Sequence, residues 1–225
     1  MNFNGAMTLS IKEQLEEGSL KLGDNTPSNY LGASSLGDEC SRKLWYTYHH
    51  PCNTGFSSRT KRIFEFGNKI EDIIIDIIGN SNIKLLAQQS SFMDGPIGGL
   101  CYGIINGLDC SSKDHLLEIK SMNDNSFKKI SSEGLEKYSL GYFVQVQVYM
   151  HYLKLEKCLF ISMNKNDCEL YLERLDYNKE VAIEYIERGK LICSLSHAPD
   201  RAYKYSNFYK CKMCNYNEKC WGNKC

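Results

Sequence analysis

The stretch His115-Leu116-Leu117-Glu118-Ile119-Lys120 decides the reading of this chain. Side chains alternate along a strand, so Glu118 and Lys120 share one face while Ile119 enters the core. A carboxylate and an ammonium side by side can bind a divalent metal and hold an attacking water against a phosphate. Glu-x-Lys also arises as a plain ion pair on an exposed strand, so the surrounding elements must carry the argument.

Upstream, residues 84–92 and 99–108 have strand composition, and the turn-forming MDGPIGG and DCSSKD separate the three segments. This predicts an antiparallel meander ending in Glu-Ile-Lys. Before it, Ile63, Phe66, Ile70, Ile74 and Ile77 recur three and four apart, which predicts a helix over 60–78 that Gly79-Asn80 ends. Glu71 lies in that helix one turn after Gly67, where a missing side chain lets a strand approach. Residues 8–17 read as a short helix and 23–29 as a loop. Ser34 or Ser35 can cap a further helix running to Pro51. Downstream come an amphipathic helix over 140–153, strands over 157–163 and 169–175 flanking NKND, and a helix over 178–194. Gln145 and Tyr149 are four apart in the first of these, on one face. The order predicts an α/β sandwich around a small mixed sheet, with 1–225 as a single domain.

Composition sets limits. The 225 residues carry 27 Lys and Arg against 27 Asp and Glu, a formal net charge of zero, which argues against a strongly basic nucleic-acid coat protein. It leaves room for a nuclease, whose acidic site offsets basic residues elsewhere. No apolar run approaches the ~20 residues that span a bilayer, so no membrane partner is expected. The mixed, acidic N-terminus reads as neither signal nor transit peptide, and a cytoplasmic location is the expectation. Arg42, Lys43, Arg59, Lys61 and Arg62, with Trp45, Tyr46 and Tyr48 nearby, could follow phosphates and stack bases, or the rings could pack the core.

Eleven cysteines are many for a reducing compartment. Cys52, Cys101, Cys110, Cys158, Cys168 and Cys193 are scattered singly and read as small core or surface residues. Cys211, Cys214 and Cys220 form C-x2-C-x5-C, three corners of a metal centre. The fourth ligand is either Cys225, close by, or Cys40, far upstream. Zinc sites gather ligands as two close pairs, and no second C-x-x-C exists, so zinc is the fallback.

Gly-x-x-x-Glu, a hairpin ending in Glu-Ile-Lys, and then Gln-x-x-x-Tyr together resemble the RecB-type branch of the PD-(D/E)xK nuclease superfamily, from about Leu36 to the C-terminus. The resemblance implies a DNA exonuclease for single strands or duplex ends. It implies Mg²⁺ or Mn²⁺ held by Glu71, the residue at 106, Glu118 and the Ile119 carbonyl, with Lys120 assisting hydrolysis and Gln145 and Tyr149 lining the site. The cysteines are similar to those of the iron–sulfur nucleases, AddB and the CRISPR-associated exonucleases of the Cas-four type, which have phage-borne relatives. This implies a 4Fe-4S cluster on Cys40, Cys211, Cys214 and Cys220. Residues 34–50 and 199–225 would then form the cluster region, in the host cytoplasm if phage-encoded.

One position departs from the pattern. The family's metal-binding Asp follows Gly-x-Ile, and here Gly103-Ile104-Ile105-Asn106-Gly107 puts an amide in its place. Asn offers one neutral oxygen where a hard cation favours a carboxylate. Asp109 could replace it only through a bulge at Gly107. The expectations are a chain that binds single-stranded DNA and cuts it poorly, and a gain of tenfold or more in Asn106→Asp.

Overall fold

A computed structural model of the chain describes residues 3–23, 28–51, 56–108 and 113–222. Asp109, Cys52, Cys110 and Cys225 lie outside them. The elements run α1 (Phe3–Leu20), β1 (Leu31–Gly32), a 3-10 turn at Ala33–Ser35, α2 (Ser41–His49) and α3 (Ser58–Gly79). Next come β2 (Lys84–Gln88), β3 (Ser91–Asp94), β4 (Ile97–Leu100), β5 (Gly103–Asn106) and β6 (His115–Met122). Then follow α4 (Asp124–Glu133), α5 (Leu135–Tyr138), α6 (Leu140–Leu153), β7 (Lys157–Asn164), β8 (Leu170–Asp176), α7 (Lys179–Ser194) and the short α8 (Tyr209–Lys212) and α9 (Asn217–Trp221).

A five-stranded mixed sheet, ordered β2-β5-β6-β7-β8, forms the middle layer, and β1-β4-β3 form a second small sheet. Every pairing in the main sheet is antiparallel except β6 with β7, which are parallel because the helical segment α4–α6 connects them. One face packs on α3, where Ile70, Ile74 and Ile78 meet Ile105, Leu117, Ile119, Leu159 and Ile161. Ile70, Ile74 and Ile78 are each at most 3% exposed, and burial on that scale stabilises by roughly 1.5–3 kcal/mol per side chain. The opposite face packs on α6, with α2 and α7 behind it.

Several expectations need correction. The buried row of α3 is 70-74-78, spaced by four, so Ile63, Phe66 and Ile77 point outward. Segments 84–92 and 99–108 are one hairpin bent in the middle, and each divides between the two sheets. The bend lies at Gln89, in the left-handed region at φ 54°, and at Cys101-Tyr102; Gln89 N–H still donates to Tyr102 O and Cys101 N–H to Ser90 O. Ser34 and Ser35 cap nothing, since they sit in the 3-10 turn and α2 starts after Cys40. Helix α6 is not amphipathic: residues 143–150 are all buried, because α6 is enclosed by the sheet, α5, α7 and the 3-10 turn.

Candidate active site

Glu118 lies on β6 on the face toward α6 and is fully buried. Lys120, two residues on, places Nζ 2.6 Å from Glu118 Oε1. This is a close ion contact whose alignment is poor, so neither carboxylate oxygen has a hydrogen-bond partner. Burial pushes the Glu118 carboxyl upward and the Lys120 charge opposes it. Burial likewise works against the Lys120 ammonium, but Glu118 outweighs it and keeps the lysine charged. The Lys120 ammonium also faces two rings, Tyr142 at 5.1 Å and Tyr102 at 5.6 Å.

Glu71 reaches this pair from the other side of the sheet. The β5–β6 ladder begins at Gly103↔Leu117, so β6 continues past Glu118 without a paired β5 residue. Tyr102, just before β5, bridges that opening: its hydroxyl donates to Glu71 Oε1 at 2.5 Å. Glu71 is half-buried, and burial holds its carboxyl above the usual range, with the Tyr102 hydrogen bond and Lys120 pulling it down and Glu118 adding to the rise. The helix-to-strand approach expected at Gly67 is present: a Cβ there would meet Ser121 Oγ at 3.4 Å.

Gln145 and Tyr149 are brought together as their spacing predicts. Gln145 Nε2 donates to the Tyr149 hydroxyl at 3.2 Å, which donates to Leu100 O at 2.9 Å. Burial, then the Glu118 charge, raise the Tyr149 phenol, which places it in the same electrostatic environment. Gly99 makes room for the ring, because a Cβ there would lie 2.5 Å from Tyr149 Cε1.

Asn106 is not brought to the site. The register Ile105↔His115 carries Asn106 toward residue 114, and its Nδ2 donates to Asp114 Oδ1 at 2.7 Å. That is four residues along β6 from Glu118, about 13 Å. Among the described residues no three His, Cys, Asp or Glu side chains converge on one metal position. Glu71 and Glu118 therefore supply two carboxylates. Glu118 Oε2, buried and without any partner, is still what a divalent cation would satisfy, and in that respect the donor set fits one.

Sequence reading missed Tyr102, Tyr142 and Ser162. Ser162 on β7 is the register partner of Lys120, fully buried, and its hydroxyl has no partner. The available signal was one polar residue inside the apolar run 158–163.

The second constellation also assembles. Cys40, Cys211, Cys214 and Cys220 line a single cavity of about 390 Å³ together with Arg42, Lys43 and Lys210. Three long-range ties position its walls. Arg188 donates to Leu36 O at 3.0 Å and Asp38 O at 2.8 Å, Arg42 to Pro199 O at 2.7 Å, and Arg201 to Cys220 O at 2.8 Å. The thiols are not drawn to single-ion distances. Asp38 lines the cavity too, paired with Lys43 at 2.6 Å, and Lys210 pairs with Glu39 at 2.8 Å.

The expected DNA-tracking residues of α2 and α3 are mostly spent on the fold. Trp45 and Tyr46 are core residues, with Trp45 Nε1 donating to Leu195 O at 2.8 Å. Lys43 pairs with Asp38, Lys61 is buried against Leu22 O, and Arg62 pairs with Glu16.

The fold is one that exonucleases use. LHK-Exo, an alkaline exonuclease from Laribacter hongkongensis, superposes in its complex with dAMP at TM-score 0.51 with 14% identity, over 80% of this chain and 90% of that one. A phage-related exonuclease from Haemophilus somnus 129PT gives TM-score 0.51 and 14% identity over 72% and 91%. The structure of SSO0001 is similar at TM-score 0.57 and 17% identity over 96% and 98%. No family model matches the sequence, and no curated protein does. Among the described residues no helix is long and apolar enough to cross a membrane.

Proposed function

We propose that the chain is a divalent-metal-dependent DNA exonuclease acting on single strands or duplex ends, of the PD-(D/E)xK type with a structural 4Fe-4S cluster. The observation that carries this reading is Glu118: a fully buried carboxylate, one oxygen without any partner and the other held against Lys120, in a fold shared with exonucleases. Glu71, Glu118 and the Ile119 carbonyl would hold Mg²⁺ or Mn²⁺. Such an ion, when bound, stabilises the charge that develops on a phosphodiester under attack. Lys120, kept charged by Glu118, orients the attacking water and the phosphate. Tyr149 and Gln145 form a fixed wall, since the phenol is committed to a backbone carbonyl.

Cys40, Cys211, Cys214 and Cys220 would ligate the cluster, with zinc the substitute after aerobic handling. A phage-linked DNA-processing setting is supported by the likeness to a phage-related exonuclease. The decisive experiment is an anaerobic preparation assayed on end-labelled single-stranded DNA with and without Mn²⁺. Mn²⁺-dependent shortening, lost in Lys120→Ala, is expected.

A second reading has its own observation. With Asn106 bonded to Asp114, the site has one carboxylate fewer than its family's pattern, which favours a DNA-binding protein with impaired cleavage. In the same assay, DNA binding without shortening would select it.

A further inference from the structure

Among the described residues four buried side-chain polar atoms have no hydrogen-bond partner: Arg42 Nε, both oxygens of Glu118, and Ser162 Oγ. Glu118 Oε1 has the Lys120 ammonium at 2.6 Å, which leaves Glu118 Oε2 and Ser162 Oγ without any partner on one face of the sheet. Glu118 and Lys120 share a face of β6, and the parallel register sets Glu118 beside Phe160 and Lys120 beside Ser162 on β7. Ser162 is therefore one diagonal step from Glu118 on the same face, within reach of a glutamate side chain. Both residues are 0% exposed.

The chemistry of the two atoms is complementary. Carboxylate oxygens accept, and a serine hydroxyl has one proton to donate. Buried polar groups are paired in the great majority of cases, and a cluster of unpaired ones marks an arrangement completed by something else. A cation accounts for Glu118, but not for a neutral hydroxyl on β7, on the side of β6 away from Tyr102 and Glu71. Carboxylates that ligate metals are themselves hydrogen-bonded from behind, which fixes their rotamer.

We propose that Ser162 is a positioning residue for the metal-binding carboxylate: its hydroxyl donates to Glu118 once a divalent cation draws that carboxylate away from Lys120. Ser162 then holds Glu118 facing the cation, and Lys120 is released toward the substrate phosphate. This inference rests on the metal-dependent reading given above. It adds a residue on β7 to a site otherwise built from α3, β6 and α6.

The test is Mn²⁺ binding by calorimetry, in the absence of DNA, to the full chain and to Ser162→Ala, Ser162→Thr and Glu118→Gln, with metal-free melting temperatures alongside. Expected are tenfold or greater weakening in Ser162→Ala, near-normal binding in Ser162→Thr, and loss in Glu118→Gln. The metal-free melting temperature of Ser162→Ala should be unchanged or higher, because the variant removes an unpaired buried hydroxyl. A merely structural serine would lower melting on replacement and leave Mn²⁺ affinity alone. Unweakened Mn²⁺ binding in Ser162→Ala, with binding lost in Glu118→Gln, overturns the role of Ser162 and leaves the metal site standing. Absence of any Glu118-dependent Mn²⁺ binding in the unmodified chain overturns both.

Discussion

Lys120 Nζ lies 2.6 Å from Glu118 Oε1, the lysine side chain 17% exposed and the glutamate 1%. The contact joins a nearly dry carboxylate to a lysine whose side chain keeps only slight exposure. Breaking such a pair from one side leaves a buried charge without compensation. Lys120→Ala should therefore cost about 3 kcal/mol at pH 8 and less at pH 5, where Glu118 can take up a proton instead. Urea unfolding at the two pH values checks this; an equal cost at both would show that Glu118 does not titrate in the variant.

The carboxyls of Glu71 and Glu118 are both raised, chiefly by burial. A raised acid contributes stability below its unfolded pKa, and that contribution is lost as pH climbs through the folded value. For these two groups alone, the metal-free protein should gain stability on mild acidification. Mn²⁺ held as proposed would require both ionised, so its affinity should fall in that same interval, above the usual carboxylate range. Thermal melts with and without Mn²⁺ between pH 5 and 8, in ~0.5 steps, should converge toward the acid end. A constant Mn²⁺-induced shift across that range would contradict the assignment.

Asn106→Asp, expected from sequence to restore cleavage, should instead change it less than about twofold, or ~0.4 kcal/mol in barrier. The new carboxylate would face Asp114 and remain far from Glu118, and like charges placed opposite each other cost a few tenths of a kcal/mol. A gain of tenfold or more would mean that the β5–β6 register shifts when metal binds.

Gly99→Ala should destabilise by about 1–3 kcal/mol, because the added methyl meets Tyr149 Cε1 at 2.5 Å and Phe92 Cε1 at 2.8 Å. A displaced Tyr149 ring would loosen its bond to Leu100 O and lower cleavage more than DNA affinity. Denaturant titration paired with single-turnover kinetics separates the two effects.

Iron and sulfide in an anaerobic preparation should each approach about four per chain. Cys40→Ala should lose the colour and lower the melting temperature, since a cluster on these four thiols would join segments far apart in sequence. The drop should be moderate, because Arg42, Trp45 and Arg188 already tie the two ends together. Zinc alone in such a preparation would refute the cluster.

Local patterns in the sequence determined the helices around Glu71 and over residues 178–194, the alternation at Glu118-Ile119-Lys120, and the close spacing of Cys211, Cys214 and Cys220. Each follows from a periodicity of two or of 3.6 residues, or from a spacing within one element, and needs no knowledge of neighbours. The sequence also marked Asn106 as unusual, but set it in the wrong surroundings, because strand register depends on loop geometry and on the partner strand. Only the tertiary structure enclosed α6 on all sides, bent the first hairpin between two sheets and turned Trp45 inward. It alone set Tyr102 against Glu71 and Ser162 beside Lys120, since those pairs join elements whose mutual placement is fixed by long-range packing. That Glu118 is a buried carboxylate with one oxygen lacking any partner was decided there as well, because burial depends on what the rest of the chain places over a residue.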